Sequence, residues 1–204
     1  MNVLDRFLDY VSYPTMSDEE SLTIPSSQKQ LVLARRIVED LKNIGITDAH
    51  VDEYGYVYGT IPANCDQIKN VIGFIAHMDT APEFNGFGVN PQIIENYDGK
   101  DILLKGNNTY LKVSDFPTLK MLKGDRLITT DGTTLLGADD KAGVANALLL
   151  AKEIQNSDIK HGGLEIVFTR DEESGMSGVK HLNFKGLNSN IIKNSVTAEP
   201  VIKA

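Results

Sequence analysis

A histidine and an aspartate stand two residues apart at the end of a short apolar run, Gly73-Phe-Ile-Ala-His77-Met-Asp79-Thr-Ala-Pro82. Two acidic clusters follow, Asp139-Asp140 within Leu136 to Gly143 and Asp171-Glu172-Glu173 within Phe168 to Gly175. Each cluster comes after its own apolar run, so all three are expected at the ends of buried strands, where open α/β sheets bind ligands. One imidazole and several carboxylates make the ligand set of a borderline-soft divalent ion, zinc before manganese or cobalt. A single carboxylate can bridge two ions roughly 3.5 to 4 Å apart, and Asp139 is placed for that role. The adjacent Glu172 and Glu173 allow one carboxylate to hold metal while its neighbour takes a proton from water. Asp79 is expected to accept a hydrogen bond from the His77 nitrogen that faces away from the metal.

The elements that must position these groups alternate between helix and strand. Val3, Leu4, Phe7, Leu8 and Val11 predict an amphipathic helix over 2 to 12. Ser27 and Gln30 have capping-box spacing before Leu31, Ala34, Ile37, Val38 and Leu41, a second helix that stops near Gly45. His50 to Glu53 and Tyr56 to Ile61 read as short strands joined at Tyr54-Gly55. Asn70 to Ile75 reads as a strand buried on both faces that delivers His77. Residues 83 to 125 read as loops and short strands without defined boundaries. Leu127 to Thr130 is a short strand, 142 to 154 a helix apolar on most sides, and Leu164 to Phe168 a strand leading to the glutamate pair. The expected fold is α/β, a mostly parallel mixed sheet flanked by helices.

With 28 Asp and Glu against 20 Lys and Arg, the net charge of -8 excludes a nucleic-acid phosphate backbone as partner, since that affinity needs clustered cations. The hydrophobic share of 41% is that of an ordinary folded domain. No apolar run approaches the roughly 20 residues of a membrane span, the start carries Asp5 and Asp9 within its apolar periodicity and lacks the uninterrupted apolar core and basic flank of a signal peptide, and Cys65 is alone. A cytoplasmic protein without membrane contact is expected.

His50 and His161 are assigned to polar turns and His181 to a surface helix, all without a chemical role. Asp131-Gly132-Thr133 is similar to the D-x-D-G-T loop of haloacid-dehalogenase-type phosphatases, but Thr129 stands where the nucleophilic aspartate belongs. Gly137 to Gly143 lacks the G-K-[ST] ending of a phosphate-cradling loop.

From Met1 to about Lys180 the chain resembles the peptidase T family, the tripeptide aminopeptidases within the dizinc metallopeptidase group that includes carboxypeptidase G and succinyl-diaminopimelate desuccinylase. Arg6-Phe7-Leu8, Pro62-Ala63-Asn64, Gly73 to Pro82, Val89 to Tyr97, Leu127 to Gly143 and Phe168 to Glu173 carry the likeness. The resemblance implies that His77 binds one of two zinc ions, Asp139 bridges both, and Glu173 binds the other. Asp79 and Glu172 become the catalytic pair, and the Asp139-Asp140 peptide is expected to be cis. The implied substrate is a small peptide, and a homodimer is implied for the full-length family member.

Two further family ligands are missing from the pattern. Ser195 falls where a ligand aspartate is expected, and Glu199 in Ala198-Glu199-Pro200 is the candidate substitute. The final histidine ligand lies beyond Ala204 in the family. The resemblance therefore implies that residues 1–204 are the N-terminal part of a catalytic domain, without the lid and dimerisation domain and the C-terminal catalytic segment. The alternatives are an inactive half-domain, or a related amidohydrolase acting on dipeptides or acylated amino acids.

Overall fold

In the structure, a computed structural model that describes residues 1–175 and 177–194, three helices cover one face of a five-stranded sheet. Helix α1 (Val3–Val11) starts at Asn2, whose side chain accepts the Asp5 N–H at 2.8 Å. Helix α2 (Gln30–Asn43) has no side-chain cap. The capping box expected of Ser27 and Gln30 does not form, because the Gln30 amide instead donates to the Asp171 carboxylate at 2.7 Å.

Strands β1 (His50–Val51) and β2 (Val57–Ile61) form a hairpin whose turn is held by Asp52 Oδ1, acceptor from the N–H groups of Tyr54 and Tyr56. Strand β3 (Ile72–His77) begins and ends two residues later than the sequence reading, so His77 is its last residue. The stretch 83 to 125 contains β4 (Pro91–Ile94), β5 (Ile102–Leu104), β6 (Thr109–Leu111) and a 3-10 turn, Pro117–Leu122. There follow β7 (Leu127–Thr130), helix α3 (Ala138–Gln155), β8 (Leu164–Thr169) and β9 (Ile191–Asn194).

The sheet order is β1-β2-β8-β3-β9. β8 runs parallel to β3, and β3 to β9, whereas β1-β2 and β2-β8 are antiparallel. The sheet is mixed and mostly parallel, as expected: β1, β8, β3 and β9 run the same way and β2 alone opposes them, because a hairpin, which needs no crossover helix, supplies one edge. β8 is buried at every position, as a central strand with both faces covered must be. Its Leu164, Ile166 and Phe168 pack toward the helices with Phe7, Val11, Leu33, Ile37, Leu41, Val144 and Leu148. Val167, on the opposite face, packs with Tyr56 and Leu182. α3 lies between β3 and α1. Strands β4 and β7 pair separately, as do β5 and β6. Among the described residues no helix is long and apolar enough to cross a membrane.

β8 also carries a buried carboxylate, Glu165, which anchors the entry to β9. It accepts the N–H groups of Asn188 (2.8 Å) and Ser189 (2.9 Å), the Asn188 amide (3.1 Å) and the Ser189 hydroxyl. Burial alone would raise its pKa, but these donors prevail and hold it below the ordinary 4.5. A depressed folded-state pKa stabilises the protein above the unfolded value, and that stability disappears as pH falls below it. Glu165→Gln is therefore expected to cost on the order of 1 to 3 kcal/mol at pH 7. Denaturant titrations of both proteins should show this gap closing as pH drops below 4.5; a gap unchanged at pH 3 would mean that the charge plays no part.

Candidate metal centre

The parallel register of β3 on β8 places His77 opposite Thr169, and the Met78 N–H donates to the Thr169 carbonyl at 2.9 Å. The ends of two adjacent strands thus deliver His77-Met-Asp79 and Arg170-Asp-Glu-Glu173 to one side of the sheet. Asp79 is fully buried. Its Oδ1 accepts the Glu172 N–H and its Oδ2 the Glu173 N–H, both at 3.0 Å. The His77 imidazole sits against the same residue, with Nδ1 3.1 Å from the Asp79 carbonyl and 3.4 Å from Oδ1. Donation by Nδ1 leaves Nε2 facing Asp139 Oδ1 at 2.9 Å, with Glu172 Oε2 at 4.0 Å.

Asp139 arrives differently from the expectation of three strand ends. β7 lies outside the central sheet, and Asp139 belongs to the start of α3. Gly137 enters that helix at φ +77°, and a Cβ there would stand 3.1 Å from Thr80 Cγ2, so both conformation and space favour glycine. The Asp139-Asp140 peptide is cis, and neither residue has helical φ/ψ. Asp140 turns inward and accepts the Gly143 N–H at 3.2 Å, while the Asp139 side chain stays 57% exposed toward His77. Lys141, buried beneath this turn, donates to the Tyr13 carbonyl at 2.8 Å. Burial pushes its pKa down to about 7 against the opposing pull of Asp79.

His77, Asp139 and Glu173 each offer one ligand atom, and these atoms lie within 4.8 Å of one another. The local field favours a cation. Burial opposes charge on His77, yet its hydrogen bond to Asp79, the charges of Asp79 and Asp140 and the bond to Asp139 prevail, raising its pKa from 6.5 to about 9. Burial raises the Glu173 carboxyl, His77 opposes, and the charges of Asp139, Asp79 and Glu172 add to the rise. One nitrogen and two carboxylates amid crowded negative charge fit a divalent ion, which would replace the imidazole proton as the local cation.

The other histidines lie elsewhere. His50 begins β1 and stacks on Tyr58, and His161 bonds the Gly162 carbonyl. His181 lies in a turn, not on a helix, where its ring stacks on Tyr54 with centroids 4.7 Å apart. Asp131 is occupied by Thr133 and Asn90. Ser195 and Glu199 lie outside the described residues. Sequence reasoning assigned nothing to Lys141 or to the side chain of Asp171. Both sit inside the recognised clusters, but whether an acidic or basic neighbour points to the metal or away from it depends on backbone torsion, which the composition of a cluster does not encode.

No protein-family model matches the chain. It is 52% identical over 180 residues to peptidase T of Halothermothrix orenii, an alignment covering 87% of this chain and 44% of that protein. It is 55% identical over 175 residues to peptidase T of Geobacillus thermodenitrificans, covering 85% and 43%. The chain thus spans a little under half the length of the curated relatives it matches. Its fold is similar to that of an aminopeptidase PepT from Bacillus cereus, with TM-score 0.67 and 23% identity over 95% of this chain and 42% of the other. A tripeptidase from Staphylococcus aureus gives 0.65 at 24% identity, with the same coverage.

Asp79 joins both strand ends and orients the imidazole, so its loss reaches two of the three candidate donors, His77 and Glu173. Asp79→Ala is expected to weaken divalent-ion binding by roughly 10- to 100-fold, read by competition with a chromophoric chelator; unchanged affinity would show that Asp79 does not hold the donors in place.

Proposed function

The chain belongs, over most of its own length, to the peptidase T family, and on that premise we propose that it forms the metal-binding part of a zinc-dependent aminopeptidase that releases the N-terminal residue of tripeptides. Residues 1–204 are read as the N-terminal part of the catalytic domain. The observation that carries the reading is the meeting of His77, Asp139 and Glu173, with Glu172 beside them and its backbone fixed on Asp79. The names of the relatives support a peptidase, and that of the Staphylococcus aureus tripeptidase, a neighbour in fold, supports a tripeptide substrate.

His77 and Asp139 would hold one ion, Asp139 and Glu173 the other, with Asp139 common to both. Zinc bound there supplies Lewis acidity toward the scissile carbonyl and toward water. The Glu172 carboxylate, 39% exposed and 4.0 Å from His77 Nε2, is positioned to accept a proton from water and return it to the departing amine. Glu173, its backbone N–H tied to the other Asp79 oxygen, holds its carboxylate among the metal donors. Asp79 keeps the imidazole oriented with Nε2 outward. Glu199 is a further ligand candidate in the tail.

The test is zinc content by elemental analysis, with tripeptide cleavage on the same sample. Glu172→Gln is expected to retain zinc and lose at least about 100-fold in rate, whereas Glu173→Gln loses zinc. Zinc loss in Glu172→Gln would exchange the two roles. A zinc-loaded chain without turnover would refute the aminopeptidase activity of these 204 residues.

A further inference from the structure

Asp171 lies directly before the glutamate pair, yet its side chain points away from the donors. It is 1% exposed and has φ of +50°, a left-handed conformation uncommon for any residue but glycine. Its carboxylate accepts four donors. Oδ2 takes the Ser26 N–H at 2.9 Å and Arg170 Nη1 at 2.5 Å; Oδ1 takes Gln30 Nε2 at 2.7 Å and the Ser26 hydroxyl. Arg170 is itself pinned, with Nε donating to the Tyr54 carbonyl at 2.7 Å and the guanidinium over the Tyr56 ring. On the carbonyl side, the Gly178 N–H donates to the Asp171 oxygen at 3.1 Å.

We infer that Asp171 is a positioning residue: its carboxylate fastens the loop after β8 to Ser26 and to Gln30 at the start of α2, and so holds the Glu172 and Glu173 amides on Asp79. The inference rests on the reading of Glu172 as base and Glu173 as ligand, and supplies what fixes them. The left-handed residue redirects the backbone two residues after β8 ends. The next two N–H groups then face the buried carboxylate of β3's extension instead of solvent. The four-donor anchor keeps an aspartate in that conformation, because release of Ser26 and Gln30 would remove the interactions that oppose the ordinary preference for negative φ.

The anchor also explains why Gln30 abandons its capping role and why α2 begins without a side-chain cap. A capping bond satisfies one exposed amide, whereas the bond to Asp171 satisfies a buried charge.

The test compares amide hydrogen exchange in the 204-residue chain with exchange in variants. Asp171→Gly keeps the left-handed φ without strain and deletes the anchor; Asp171→Asn tolerates that φ and keeps one acceptor oxygen. Exchange at Glu172 and Glu173 is expected to accelerate on the order of tenfold or more in Asp171→Gly. Acceleration should be smaller in Asp171→Asn, and amides of β3 and α3 should stay unchanged. Ser26→Ala, which removes one donor outside the loop, should act in the same direction and more weakly. Unchanged exchange at Glu172 and Glu173, or an equal increase throughout the chain, overturns the inference; if Asp171→Gly does not fold, the same two outcomes are read in Ser26→Ala. Cobalt(II) titrated into the same proteins separates this inference from the metal reading. A ligand-field absorption that weakens in Asp171→Gly and recovers in Asp171→Asn supports both. No cobalt spectrum in the unaltered chain counts against the metal reading, and the exchange rates still decide the role of Asp171.

Discussion

The carboxylate of Asp79 is removed from water entirely, and a buried carboxylate is tolerated only where donors replace its hydration. Three groups do so here, the N–H groups of Glu172 and Glu173 and the His77 imidazole. All come from the ends of two neighbouring strands. The requirement to satisfy one buried charge is therefore what brings a histidine and two glutamates, 95 and 96 residues apart in sequence from it, to a common side. The parallel register of β3 and β8 sets the distance, and Asp79 sets the orientation.

That arrangement has an electrostatic consequence. Asp79, Asp139, Asp140, Glu172 and Glu173 surround one imidazole, while Lys141, which bonds the Tyr13 carbonyl beneath the α3 turn, has its own charge weakened by burial. In this field the imidazole retains its proton far above its ordinary range. A divalent ion supplies more positive charge at the same point, and several carboxylates can share it where only one can bond a proton well. The crowding of carboxylates that holds the imidazole charged is the geometry that would favour a metal ion.

Much of this was legible because metal chemistry restricts residue types. His77 and Asp79 after an apolar run, the Glu172-Glu173 pair and Asp139 before a buried helix are combinations with few structural uses, and fold class follows from alternating helix and strand patterns. Other features obey longer-range rules. β2 and β3 have similar apolar runs, but one flanks β8 antiparallel and the other parallel, a choice made by connections and not by strand composition. Asp139 reaches the centre from a helix start because β7 pairs with β4 outside the central sheet. Gln30 fits a capping box locally, and only the folded chain reveals the buried acceptor 141 residues away that outcompetes it.

Asp171 shows how local and global demands are reconciled at such a centre. The chain must turn sharply after β8 for two consecutive amides to meet Asp79, and glycine would make that turn at least conformational cost. Glycine, however, would leave the loop without a side-chain tie to the segment before α2, held by the bonds to Asp79 and by the backbone bond from Gly178. Aspartate adds that attachment, to Ser26 and Gln30 at the approach to a helix packed in the main core. It tolerates left-handed φ better than larger or β-branched residues, and once buried it needs the four donors that the helix start and Arg170 provide. Strain at one residue is thus exchanged for a loop held at both ends, and the glutamates between those attachments lose the freedom that would otherwise blur the distance between base and donor.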